Sequence, residues 1–227
     1  MAAITSIPEP GAPLKDRNTA LLLIGLQRDY FSIDGLLHAA FEDSVQRALE
    51  NTLRLVAALA PTEAHLISTP IYFTPDYEEL KEPIGVLATI REKGAFRIGS
   101  PTAAEVPELA QYQGRIQVIP GKRGLNAFSD TALDAELRAR DITDVVLAGA
   151  VTSLCIDSTA RSAVDRGYRV TVLSDCTSAR SLLEQSLYCE QIFPMYARVM
   201  TSHGLLDALA GIPARPSRAG IRMVHEP

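Results

Sequence analysis

Short apolar runs alternate with stretches of helical periodicity along most of the chain. The run ALLLIG (20–25) is continuous and ends at polar residues, the pattern of a strand buried on both faces. Over 40–60, Phe41, Val45, Ala48, Leu49, Leu53, Val56 and Leu59 recur at helical spacing up to Pro61, which predicts an amphipathic helix. Further strands are predicted at HLIST (65–69), IQVI (116–119), DVVLAGA (144–150), YRVTVLS (168–174) and ARVMTS (197–202). Helices are predicted over 77–93, 131–140, 153–166, 181–193 and 203–210, with Gly167 as a C-cap after the fourth of the helical stretches. Strand alternating with helix implies a three-layer α/β sandwich around a mainly parallel, six-stranded, Rossmann-like sheet. Ligands of such sheets bind at the carboxyl ends of the strands.

The alternation lapses over 70–115, where one helix is followed by a loop containing Gly and Pro. Two readings stand side by side: a lid or specificity element, or an excursion that simply covers the sheet. Residues 1–18 and 211–227 each carry three prolines and little periodicity. They read as N- and C-terminal arms on a single domain spanning 19–210.

Composition narrows the function classes. The chain has 227 residues, 47% hydrophobic and 22% charged, which is ordinary for a globular domain. The net charge of −5, without a basic block, argues against nucleic-acid or anionic-membrane partners. No apolar run reaches the roughly 18–20 residues that cross a bilayer. The N-terminus lacks the pattern of a secretory signal, and three cysteines (Cys155, Cys176 and Cys189) do not make a disulfide framework. The expectation is a cytoplasmic protein.

Several familiar motifs fail. Gly121-Lys122 is not a phosphate-binding loop, because position 116 is Ile and position 123 is Arg. There is no GxGxxG and no GxSxG, and the four histidines lack metal-ligand spacing. What remains is a set of polar residues just after the predicted strands. Gly25, Gln27, Asp29 and Tyr30 follow the first, Lys122 the third, and Cys155 lies near the start of the helix after the fourth. A helix N-terminus and a nearby lysine both favour a thiolate, the nucleophilic form of cysteine. Main-chain N–H groups of the turn 151–155 are candidates for an oxyanion hole. The bland alternative is that Cys155 is a small buried hydrophobe.

The segment GAVTSLCIDSTARSAVDRGYRVTVLSDC resembles the nucleophile region of the isochorismatase-like cysteine hydrolase superfamily, through Gly149, Thr152, Cys155, Thr159, Ala160, Ala163, Gly167, Tyr168 and Asp175. KRGLNAFSDTALDAEL resembles the family's lysine segment, and TALLLIGLQRDYF its opening strand. The resemblance implies hydrolysis of a small molecule's amide-like C–N bond through a thioester, without metal or cofactor. It implies Cys155 as nucleophile, Lys122 as its electrostatic partner, and Val151 and Cys155 N–H groups as oxyanion donors. It also implies a cis peptide just before Val151 and a homodimer or homotetramer. Nicotinamidase activity is disfavoured, since the Asp and two His that hold a metal in those relatives have no match.

One departure matters. Where the family carries its catalytic aspartate, this chain has Gly25, while Gln27 and Asp29 keep the register. Removing such a general base costs about 10²–10⁴-fold in rate. Another carboxylate substitutes (Asp29, or Asp34, Glu92 or Asp157), or Lys122 and Cys155 suffice, or the site binds a small molecule or protein partner without turnover. Tyr30, Phe73, Asn126 and Leu154, with Gln27 and Asp29, are the pocket candidates, and Arg123 is a further donor beside Lys122. Phe31 and Phe128 read as core. Cys176 is weighed as a redox partner against a packing role.

Overall fold

The computed structural model describes residues 13–41 and 44–212. Six strands form one sheet: β1 (Thr19–Ile24), β2 (His65–Thr69), β3 (Ile116–Val118), β4 (Asp144–Ala150), β5 (Arg169–Ser178) and β6 (Arg198–Met200). Their order is β3-β2-β1-β4-β5-β6, and every neighbouring pair is parallel. β1 and β4 lie at the centre with every residue buried, which is why both read as unbroken apolar runs. The α-helices are α1 (Arg28–Phe31), α2 (Ser44–Leu59), α3 (Gly85–Lys93), α4 (Leu133–Ala139), α5 (Asp157–Asp165), α6 (Leu182–Leu187) and α7 (Ser202–Leu209). None among the described residues is long and apolar enough to cross a membrane.

From β1 the chain steps outward to β2 and β3, then crosses back to β4 and steps outward the other way to β5 and β6. Right-handed crossovers in opposite directions put α2 on one face and α4 and α5 on the other. The same reversal opens a crevice between the carboxyl ends of β1 and β4. The functional residues anticipated from sequence follow these two strands and β3, apart from Phe73, which follows β2.

Four elements differ from the pattern reading. The helix expected over 77–93 starts only at Gly85, because Pro83 has no N–H and biases Glu82 away from helical dihedrals, and Glu82 sits at φ +46°. β5 runs on to Ser178 because its pairing with β4 jumps from Leu147–Val172 to Gly149–Thr177, a bulge that apolar patterning does not reveal. The stretch 181–193 breaks into α6, a π turn over Tyr188–Ile192 and a 3₁₀ turn over Phe193–Met195, where Pro194 cannot donate to the helical ladder. The helix expected over 153–166 opens as a π turn, Thr152–Ile156, before becoming α5.

Most of both terminal arms, 1–12 and 213–227, lies outside the described residues. Residues 13–18 pack on the domain: Leu14 is buried, and a 3₁₀ turn over Asp16–Asn18 leads directly into β1. The excursion 70–115 is strapped to the end of β1. Arg28 N–H donates to Ala104 O (2.9 Å) and Val106 N–H to Leu26 O (3.0 Å). Within the excursion, Phe73 N–H donates to Phe96 O and Ile98 N–H to Phe73 O, both at 2.8 Å. A cleft of about 260 Å³ beside edge strand β3 is lined by Val106, Leu109, Ile116 and Val118, and Cys155 is not in its wall.

Candidate active site

The site begins with two strand ends in unusually close contact. Gly149 has φ +124°, and a Cβ built there would fall 2.0 Å from Ile24 O. Only glycine lets β1 and β4 approach so closely. The following peptide, Ala150–Val151, is cis without proline, as the resemblance implied. Val151 O then accepts from both Leu154 N–H and Ile156 N–H at 3.1 Å. The second bond spans five residues and widens the turn Thr152–Ile156. This turn carries Cys155, 1% exposed, immediately before α5. The first N–H groups of such a helical segment lack intrahelical partners and present partial positive charge.

Lys122 arrives from the loop after β3, where it pairs in a short parallel bridge with Ile71. Its side chain is fully buried. Nζ donates to Cys155 Sγ at 3.5 Å and to Gly124 O. Burial lowers the pKa of Lys122, and the charge on Cys155 with the hydrogen bond to it pulls in the opposite direction. Among the described residues no carboxylate pairs with this buried ammonium.

Gly25, where the resemblance leads one to expect an aspartate, is flanked by the Tyr30 ring. A Cβ on Gly25 would meet Tyr30 ring carbons at 3.5 and 3.7 Å and Ala150 O at 3.3 Å. Tyr30 is buried in edge-to-face contact with Phe41 and Phe96, at centroid distances of 5.5 and 4.8 Å. Burial, then charge on Cys155, then charge on Asp29, pushes its phenol well above the ordinary range, so it stays an O–H donor.

The proposed substitute carboxylates are engaged elsewhere. Asp29 is buried, with Oδ1 accepting from Leu36 N–H (3.3 Å) and Oδ2 from Phe96 N–H (2.7 Å). Asp34 pairs with Arg28 at the surface (2.8 Å). Asp157 holds Arg161 (3.0 Å) and accepts from the Tyr196 hydroxyl (2.6 Å). Glu92 is exposed on α3. Gln27 donates to Ile71 O and Ala103 O and accepts from Ile71 N–H, each at 2.7 Å, so its amide is a pin between β1 and the excursion.

Of the other pocket candidates, Leu154 is half-buried on the nucleophile turn. Phe73 is fully buried against Tyr77. Asn126 Oδ1 accepts from Phe128 N–H (2.9 Å) and shapes its own turn. Arg123 reaches Tyr72 O and Glu79 rather than the sulfur. All three cysteines are free thiols. Burial, then Asp175, pushes the Cys176 thiol up to about 12, and burial pushes that of Cys189 up to about 11.

Sequence reasoning missed the support from α6. The Thr152 hydroxyl donates to Gln185 Oε1 (2.7 Å), and the Ser153 hydroxyl to Glu184. Gln185 Nε2 continues to Ser174 O (3.0 Å) and Thr177 Oγ1 (3.1 Å), locking the turn to the bulge of β5. Ser181 caps α6 by accepting from Glu184 N–H (3.2 Å), but nothing in the sequence pattern of 181–193 marks what that helix packs against. Thr69, at the carboxyl end of β2, is buried with a hydroxyl that makes no hydrogen bond among the described residues. No group of three or more His, Cys, Asp or Glu among those residues is placed to hold a metal.

Comparison with known proteins follows the same outline. A family model described as the Isochorismatase domain matches residues 19–204. The uncharacterized isochorismatase family protein YecD of Escherichia coli is 29% identical over 197 residues, covering 86% of this chain and 98% of that one. Ureidoacrylate amidohydrolase RutB of Methylorubrum extorquens is 31% identical over 184 residues, covering 75% and 73%. The crystal structure of a cysteine hydrolase from Pseudomonas syringae superposes with a TM-score of 0.78 at 21% identity, covering 91% and 99%. With the Isochorismatase domain model matching residues 19–204, most of its length, the chain belongs to the isochorismatase family.

Proposed function

We propose that this protein hydrolyses an amide-like C–N bond of a small molecule through a thioester on Cys155. The observation that carries the reading is the buried contact between Lys122 Nζ and Cys155 Sγ at 3.5 Å. A buried cation beside a thiol at the start of a helix favours the thiolate. Thiolate attack on an acyl carbon places negative charge on the carbonyl oxygen. The N–H groups of Val151 and Cys155 are the proposed donors to that oxygen. The kinship with a ureidoacrylate amidohydrolase directs the search to ureides and small amides. Cys155 is 1% exposed, so substrate entry requires displacement of the covering side chains, among which the ring of Tyr30 is the proposed wall. No cofactor is needed for this chemistry. A homodimer or homotetramer is expected from the resemblance to the family. Light scattering after size exclusion tests that point.

The test of the hydrolase reading is a panel of small ureides and amides, with acid-quenched samples analysed by peptide mass spectrometry. An acyl group on Cys155 is expected, and Cys155→Ala is expected to lose both adduct and product. Turnover that persists in Cys155→Ala overturns the reading. A second reading, a binding protein on the same fold, is favoured by one observation: residue 25 offers no proton acceptor. A panel member that raises Tm without yielding product or adduct supports it.

A further inference from the structure

We propose that Lys122 is the proton carrier of this site, taking the proton from the Cys155 thiol and returning it to the nitrogen that leaves. This rests on the hydrolase reading above and gives Lys122 a role beyond electrostatic support. Three observations converge on it. The position from which a carboxylate would act is glycine, and the Tyr30 ring fills the adjoining space. The nearest carboxylate in sequence, Asp29, has both oxygens on main-chain N–H groups. Lys122 is fully buried, and its side-chain partners among the described residues are one carbonyl and the Cys155 sulfur.

A buried ammonium with no carboxylate beside it is costly, and the neutral amine is correspondingly favoured. The downward shift of the Lys122 pKa by burial has this same cause. Beside Lys122, the titratable group that interacts with Cys155 is Tyr30, from α1, which keeps its proton; the charge on Asp29 acts on Tyr30 as well, and the oxygens of Asp29 are committed to the N–H groups of Leu36 and Phe96. Lys122 and Cys155 therefore share a proton between them. Either the amine faces the thiol, or the ammonium faces the thiolate.

The full cycle balances on that single proton. The Sγ–H proton moves to Nζ, and the thiolate adds to the acyl carbon. As the C–N bond breaks, Nζ returns the proton to the leaving nitrogen, which departs as a neutral amine. The thioester then faces a neutral Lys122. A water molecule gives a proton to Nζ as its oxygen adds to the thioester carbon. The C–S bond breaks, the carboxylic acid departs, and thiolate faces ammonium once more. A lysine that served only as a fixed positive charge could perform neither transfer.

The test uses iodoacetamide on the full chain carrying Cys176→Ala and Cys189→Ala, so that Cys155 is the sole thiol. Alkylation of a thiolate releases iodide and no proton. Once the sulfur is alkylated, the buried Lys122 loses its counter-charge, and a proton-carrying lysine gives its proton to the solvent. A pH indicator at pH 7.5 is expected to record one proton released per Cys155 alkylated. Lys122→Arg, which holds a permanent charge, is expected to release nearly none. Near-zero release from the parent chain means that Lys122 keeps its charge, which overturns the proposal and leaves the hydrolase reading standing. One proton from both chains means that the release does not depend on residue 122, and also overturns it. Failure of Cys155 to alkylate at all removes the hydrolase reading, and the proposal falls with it. Circular dichroism confirms that the arginine variant is folded before either result is read.

Discussion

The edge of the Tyr30 ring lies 3.5 Å from the point where a side chain on Gly25 would begin. Gly25 itself has φ +62°, a left-handed conformation that favours glycine. The bare glycine and the Tyr30 ring are thus neighbours in one packed corner. The ring is also in edge-to-face contact with Phe41 and Phe96, so any displacement of it breaks those contacts.

Restoring the family's aspartate is therefore expected to harm this protein. Gly25→Asp places a non-glycine residue in the left-handed region at about 1–2 kcal/mol, which lowers Tm by about 2–8 °C. It also brings a charge against a buried ring. Gly25→Asp with Tyr30→Ala relieves the contact but not the backbone cost. Thermal unfolding of both variants checks the order: parent chain above double variant, and no gain in Cys155 acylation from the single change. A Gly25→Asp protein as stable as the parent would show that the strand end relaxes freely.

The contact between β1 and β4 is less forgiving still. A methyl group at Gly149 would lie 2.0 Å from Ile24 O, with main-chain atoms on that side rather than a flexible side chain. Gly149→Ala must push the two central strands apart just before the nucleophile turn. The expected loss is about 3 kcal/mol or more, at the severe end for single substitutions. Urea unfolding measures it. By comparison, Gly167→Ala meets open space and is limited to the cost of its φ of +85°.

The contrast between these glycines shows which part of the fold was legible in the sequence. Buried strands such as 20–24 and 145–150 are spelled by continuous apolar residues, because a polar side chain between two helical layers needs a partner, as Asp144 finds in Arg169 at the start of β4. The turn after β4 was legible through Gly149, Thr152 and Cys155. Illegible were features set by long-range contacts. The bulge that carries β5 to Ser178 depends on how β4 ends. The commitments of Gln27 to Ile71 and Ala103, and of Asp29 to Phe96, depend on where the 70–115 excursion folds back. Periodicity sees neither. For the same reason residue type alone could name Asp29 as a substitute base but could not show its oxygens already engaged.

Asp29 is expected to behave as a clasp for that excursion. Asp29→Asn keeps one acceptor but turns an N–H group toward one of the two main-chain donors, leaving it unpaired at about 1–3 kcal/mol. Asp29→Ala strands both donors and costs more. Hydrogen exchange localises the effect: the Phe96 amide is expected to exchange about tenfold or more faster for each ~1.4 kcal/mol lost locally. Unchanged protection at Phe96 would show that the excursion holds without this carboxylate.

The Cys176 thiol supplies the pH prediction. It is buried within β5 and next to Asp175, and these two causes push it from an ordinary thiol value of 9.0 up to about 12. The folded thiol keeps its proton at a pH where the unfolded chain has already lost it. Unfolding then releases a proton, so stability falls as pH rises above about 9, by up to about 1.4 kcal/mol per pH unit. Below pH 8 both states hold the proton and the effect vanishes. Cys176→Ala lacks the titrating group, and its stability at neutral pH is lower for want of the packed sulfur. Its decline between pH 9 and 11 is expected to be shallower than that of the parent chain. Urea titrations at pH 7, 9, 10 and 11 give the difference directly, since the tyrosines titrate in both proteins and cancel. Parallel curves for the two proteins would mean that the buried thiol does not resist ionisation. Cys176 would then regain a claim to redox chemistry with Cys155 that its present burial denies it.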